Sequence, residues 1–126
     1  MDAARRIVIV VWSAGPDRPV LAAAPFVYAL TARALDLEVE MHFTSTSVRW
    51  MLQGVADSAY TDAGHTKTVA DFIREAKSAG VRLFACSMAL HEHRRGEALI
   101  PECDGQAGAA MVIGTSVEPD CRTLVF

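Results

Sequence analysis

A chain of 126 residues is long enough to bury one hydrophobic core without disulfide or metal staples. Hydrophobic residues make up 52% and charged residues 21%, which excludes a disordered segment, and a net charge of -3 with no basic run longer than Arg5-Arg6 or Arg94-Arg95 excludes the electrostatic footprint of nucleic-acid binding. No run has the length of a membrane span, and Met1 to Arg6 leads into a strand-like segment without the apolar core of a signal peptide, so the sequence predicts a soluble cytoplasmic protein with no membrane partner.

Ile7 to Trp12 is a continuous apolar, mostly β-branched run, the pattern of a strand buried on both faces of a parallel sheet. Ser13 to Pro19 is dense in turn-forming residues. Gly15-Pro16-Asp17 within it reads as a plain strand-to-helix turn, since neither G-x-G-x-x-G nor a P-loop pattern is present. Val20 to Leu35 reads as a helix that either begins near Pro25 or bends there, because an internal proline deletes a backbone hydrogen bond. Leu37 to Phe43 alternates apolar residues with Glu38, Glu40 and His42, which predicts a strand with one polar face, at an edge or thinly covered.

Thr44 to Ser47 offers helix caps for a short helix through Leu52, ended by Gly54, and residues 56 to 65 read as a surface loop. From Lys67 to Ala79 the spacing of Val69, Phe72, Ile73 and Ala76 predicts an amphipathic helix that Gly80 terminates. Val81 to Ala85 is a buried strand ending at Cys86, and Ser87 to Leu90 starts another short helix. A polar stretch from His91 to Glu97 follows, then a connector from Ala98 to Gly105, a small-residue helix from Gln106 to Val117, and a last strand from Cys121 to Phe126. This alternation predicts a single three-layer α/β/α domain over residues 1–126, with about five mostly parallel strands and helices on both faces.

Cys86 is the candidate catalytic residue. A thiol at a strand's carboxyl end and a helix's amino end sits where α/β proteins place ligands, and free N–H groups there favour the reactive thiolate. The alternative is that it is one more small buried hydrophobe. His42, His65, His91 and His93 are all candidate bases for a Cys-His pair, with nothing in the pattern to choose among them. His91 and His93 lack the i, i+4 spacing that would put two metal ligands on one helix face. The three cysteines, Cys86, Cys103 and Cys121, have no zinc-type pairing and no C-x-x-C, so no metal, cofactor or internal disulfide is expected.

Taken in order, several segments together resemble the DsrE/DsrF-like family, which includes sulfur-relay subunits. They are the first strand with Gly15-Pro16-Asp17, the strand ending Met41-His42-Phe43, the helix closed by Ala79-Gly80-Val81, and Leu83-Phe84-Ala85-Cys86. Gly96, Leu99-Ile100-Pro101, the glycine turn into the last helix and Leu124-Val125-Phe126 complete the set. The resemblance implies that Cys86 stands where some members accept persulfide sulfur passed between proteins, while other members lack that cysteine. It also implies homo-oligomers, often trimers or hexamers, and sulfur donor and acceptor proteins as partners. Ala89 occupies the place of a second cysteine found in some relatives, which weighs against a two-thiol mechanism, and the segment from His91 to Arg95 is atypical.

Two functions are therefore carried forward. One is a sulfurtransferase or sulfur carrier in which Cys86 takes sulfane sulfur as a persulfide and passes it to a partner thiol. The other is a non-catalytic homo-oligomeric module that binds a small ligand or partner segment near Cys86. An open Cys86 beside backbone N–H groups favours the first, and a buried one the second.

Overall fold

The computed structural model describes residues 3–126. Five strands form one sheet: β1 (Arg6–Val11), β2 (Glu38–Phe43), β3 (Arg82–Cys86), β4 (Gly105–Ala107) and β5 (Cys121–Val125). Their order is β4-β3-β2-β1-β5 and every ladder is parallel. The intervening helices are α1 (Ala23–Ala34), α2 (Val69–Ser78), α3 (Ser87–His93) and α4 (Ala109–Ser116), with 3₁₀ turns at Pro19–Ala22 and Ser45–Met51.

Parallel neighbours require crossovers, and crossovers are right-handed. From β1 through β4 the chain steps one way across the sheet, so α1 and α2 fall on one face. From β4 to β5 it steps back across β3, β2 and β1, so the same handedness puts α4 on the opposite face. The two faces are consequently very unequal. On the first, Ile9, Val11, Met41, Phe43, Leu83 and Ala85 are all buried against Phe26, Ala29, Phe72, Ile73 and Ala76. Phe26 centres this core, with ring centroids 5.9 Å from Phe43 and 5.7 Å from Phe72. On the second face α4 is alone, and none of its residues is buried.

Helix ends follow their sequence signals. Thr68 and Asp71 form a reciprocal capping box at the start of α2. At its end Gly80 takes φ 92°, with its N–H bonded to Lys77 O and that of Val81 to Ala76 O. This is the left-handed closure that glycine adopts without a Cβ penalty. Pro25 is the third residue of α1, among the first four positions whose N–H groups have no intrahelical partner, so it neither breaks nor bends the helix.

The short helix expected before Gly54 forms as a 3₁₀ helix over Ser45–Met51. Two expectations are corrected. Gly105–Ala107 forms the edge strand β4, so the last helix starts at Ala109 instead of Gln106. Finally, β2 is the middle strand of the sheet and not an edge. Its polar parity is real, but Glu40 and His42 are only 3% exposed, because Glu40 is paired to both His42 and Arg82. Ion pairing lets a charged row occupy a buried position that sequence alone assigns to solvent.

Truncating Phe26 to alanine is expected to cost about 3–5 kcal/mol, and Thr68→Ala about 1 kcal/mol through loss of the cap. Urea unfolding of the two variants checks both the sizes and their order.

Candidate functional site

The site lies at the carboxyl edge of the sheet, where β2 and β3 end side by side. Their ladder pairs His42 with Phe84 and Phe43 with Ala85; one step further, Thr44 stands opposite Cys86. Register therefore places the Thr44 hydroxyl beside the thiol. Cys86 is also the residue preceding α3, with φ -65° and ψ 122°, so the first N–H groups of that helix turn toward its sulfur. The Thr44 hydroxyl and the backbone N–H groups of Met88 and Ala89 are the groups that favour its thiolate.

These contacts decide the chemistry of the thiol. Burial pushes Cys86 upward, but the Thr44 hydroxyl and the Ala89 and Met88 N–H groups outweigh it, and the net displacement is below the ordinary thiol value. Cys103 and Cys121 go the other way, raised above that value chiefly by burial. Cys86 is half-buried, Cys103 half-buried with its sulfur near Gly105 O, and Cys121 buried at the start of β5. One cysteine of the three is thus both reachable and biased toward the thiolate.

Cys86 opens onto a cavity of about 170 Å³ between the sheet and α4, lined by Val10, His42, Thr44, Ala107, Val112 and Ile113 among others. Its wall is apolar apart from His42, Thr44 and the thiol. Of the four histidines, only His42 shares this space. His65 stacks on Tyr60 in a loop, with centroids 4.5 Å apart. His91 and His93 sit in the last turn of α3, the first exposed and the second half-buried, with the His93 carbonyl accepting Arg49 Nη1 at 2.7 Å. Among the described residues no group of three or more His, Cys, Asp or Glu is arranged to hold a metal ion.

The Gly15 turn is occupied structurally. A Cβ at Gly15 would run into the Thr46 hydroxyl, Trp50 Nε1 donates to Ala14 O at 2.5 Å, and Ser47 Oγ donates to Val11 O at 2.5 Å. These bonds clamp the loop after β1 onto the 3₁₀ turn after β2 and fix the floor from which Thr44 projects. Sequence reasoning singled out Cys86 but gave Thr44 only a helix-capping role. The available signal was its place, one residue past the strand next to the one that carries the cysteine.

A model of the DsrE/DsrF-like family matches residues 6–110. The fold is similar to that of the YchN protein from E. coli, with a TM-score of 0.74 and 13% identity, covering 98% of this chain and 99% of that one. It is also similar to MTH1491 from Methanobacterium thermoautotrophicum, described as a protein of unknown function, with a TM-score of 0.64, 20% identity and coverage of 99% and 100%. No functionally curated protein matches the chain.

At pH 7 iodoacetamide is expected to label Cys86 on the order of tenfold faster than Cys103 or Cys121. A lowered thiol reaches full ionisation at lower pH, so the Cys86 rate should level off at a lower pH than those of Cys103 and Cys121, which keep rising beyond it. Labelling resolved by residue in a mass spectrometer reads both effects. Equal slow rates at all three cysteines would remove the distinction.

Proposed function

The chain belongs to the DsrE/DsrF-like family, and on that premise we propose that it handles sulfur, with Cys86 accepting sulfane sulfur as a persulfide and passing it to a partner thiol. The observation that carries this reading is the half-open Cys86 at the end of β3, lining the cavity beside α4, where the Thr44 hydroxyl and the Met88 and Ala89 N–H groups favour its thiolate. Those donors favour what the reaction asks of the protein: a reachable sulfur biased toward the thiolate.

The chemistry closes without a cofactor. The Cys86 thiolate attacks the outer sulfur of a donor persulfide R–S–SH; the donor S–S bond breaks, R–S⁻ leaves, and Cys86–S–SH remains. An acceptor thiolate then attacks that outer sulfur, takes it as R′–S–SH and regenerates Cys86–S⁻. Ala89 stands where a second thiol would have to be, so the resting state is recovered by the acceptor and not by an internal disulfide. The whole of residues 1–126 serves as one domain in this reading, and the donor and acceptor are proteins that present a cysteine to the carboxyl edge of the sheet. Met88, 82% exposed and two residues from the thiol, is the natural first contact for such a partner.

The assembly proposed is a homotrimer or hexamer in the cytoplasm. Ile113, Val117 and Val125 on the α4 side are 62%, 73% and 62% exposed in the isolated chain, an apolar surplus that association would cover. The apolar lining of the 170 Å³ cavity favours the second reading, a homo-oligomeric module that holds a small ligand there without chemistry.

Incubation with glutathione persulfide, followed by alkylation and mass spectrometry, is expected to show one added sulfur at Cys86. Cys86→Ser is expected to abolish that addition while unfolding within about 1 kcal/mol of wild type, because the hydroxyl inherits the Thr44 and backbone donors. A wild-type protein that never gains sulfur at Cys86 would favour the module. Light scattering at micromolar concentration is expected to report three chains or a multiple, and a monomer would rule out the proposed assembly.

A further inference from the structure

Three polar side chains run in line across the thinly covered face of the sheet toward the Cys86 cavity. Arg82 Nη2 lies 3.0 Å from Glu40 Oε2, and Glu40 Oε1 lies 3.2 Å from His42 Nε2. The Glu40 and His42 side chains are each 4% exposed, while that of Arg82 is 53% exposed. Burying a carboxylate and an imidazole in the central strand is costly, and apolar residues of similar volume commonly serve stability as well or better. The hydrophobic core lies on the other face and does not use them. Their common feature is the cavity at the end of the row, which His42 lines together with Thr44 and Cys86.

Resting on the sulfur-transfer reading of Cys86, we infer that His42, held by Glu40 and Arg82, is a second catalytic residue that gives a proton to the departing thiolate and takes one from the arriving thiol. Nε2 is committed to the Glu40 carboxylate, which fixes the tautomer and leaves Nδ1 as the nitrogen free to exchange a proton. The ring is further held by stacking on Phe84, with centroids 5.2 Å apart and planes 20° from parallel. The groups that favour the Cys86 thiolate are Thr44, Met88 and Ala89, and the role assigned to His42 is toward the partner's sulfur and not toward that thiol. It faces the cavity, and its substrate is whatever fills that cavity, the sulfur-bearing tip of the donor or the acceptor.

The protons balance over a cycle. In loading, Cys86–S⁻ takes the outer sulfur of R–S–SH, the donor S–S bond breaks, and the His42 imidazolium protonates the leaving sulfur to give R–SH. In discharge, R′–SH gives its proton to neutral His42, R′–S⁻ takes the outer sulfur from Cys86–S–SH, and the imidazolium and Cys86–S⁻ are both restored. An ordinary thiol ionises near about 8.5, so near neutral pH each half-reaction gains from this proton transfer.

The ionisable groups sharing the face are few. β2 contributes Glu40 beside His42 and Glu38 further along, β3 contributes Arg82 and Cys86, and Arg6 of β1 and Cys121 of β5 lie at the far end with Glu38, while the β1 neighbours of His42 on this face, Val8 and Val10, are apolar. Neither Gly105–Ala107 nor Ala109–Ser116 carries an ionisable side chain.

The test uses the full chain with glutathione persulfide as donor and free cysteine as acceptor. In His42→Gln and His42→Asn, iodoacetamide labelling of Cys86 should stay within about twofold of wild type, while loading and discharge slow by about 10²-fold and lose the pH dependence that wild type shows. Variants that load and discharge at the wild-type rate, or that slow equally at every pH with the profile unchanged, overturn the role of His42. A wild type that never loads at Cys86 overturns the transfer reading itself, and the inference with it. A measurement that needs no variant is the imidazole NMR spectrum of wild type. Carbamidomethylation of Cys86 should displace the His42 ring signals and leave those of His65, His91 and His93 in place. An unmoved His42 signal places it outside the reach of a group on the sulfur and overturns the proposal.

Discussion

The right-handedness of parallel crossovers is the constraint from which this molecule follows. It sends α1 and α2 to one face and leaves α4, the single backward crossing, to cover the other. That helix has eight residues, about 12 Å, against a sheet of five strands that is about 19 Å across. It cannot cover the whole face. The gap beneath it is the cavity, and what lines the gap is set by strand parity: His42 from β2, Val10 from β1 and Cys86 from β3. A well-packed layer supplies rigidity, and an under-covered layer supplies access.

The division of labour between the two faces explains why polar chemistry survives inside so small a chain. The dense face contains the stacked and tilted rings of Phe26, Phe43 and Phe72 and the buried stripe of α2, and it carries the cost of ordering the chain. The other face is then free to hold Arg82, Glu40 and His42, which satisfy one another and leave no fully buried side-chain nitrogen or oxygen unpartnered among the described residues.

Much of this is written in the sequence wherever one local rule acts alone. The apolar run from Ile7 gave β1, although Trp12 falls beyond its end and is exposed, the Val69, Phe72, Ile73 and Ala76 stripe gave α2, and strand and helix signals on either side gave the junction at Cys86. Reading failed where a distant partner changes the meaning of a residue. Glu38, Glu40 and His42 look like a solvent face until Arg82, some forty positions away, neutralises the middle one and the sheet order puts β2 in the centre. Gly105–Ala107 has no strand-like composition of its own and becomes one because the edge of β3 offers it hydrogen bonds. Thr44 gains its role only from register with Cys86, which no pattern within either segment encodes.

That register also says where the chain can change length. Successive strand residues point to opposite faces, so one residue inserted or deleted within Leu83–Cys86 or Met41–Thr44 would turn the thiol, or the hydroxyl and imidazole beside it, into the hydrophobic layer. The core opposes any such slip, because one within β2 would turn Phe43 out of it and one within β3 would turn Ala85 out of it. Growth and shrinkage fall most easily at the exposed loop tips, residues 63–66 and 94–96. The spacing from Met41 to Thr44 and from Leu83 to Cys86 is thereby held fixed by the same packing that holds the fold, and a site built from side chains of two strands keeps its geometry with no loop required to define it.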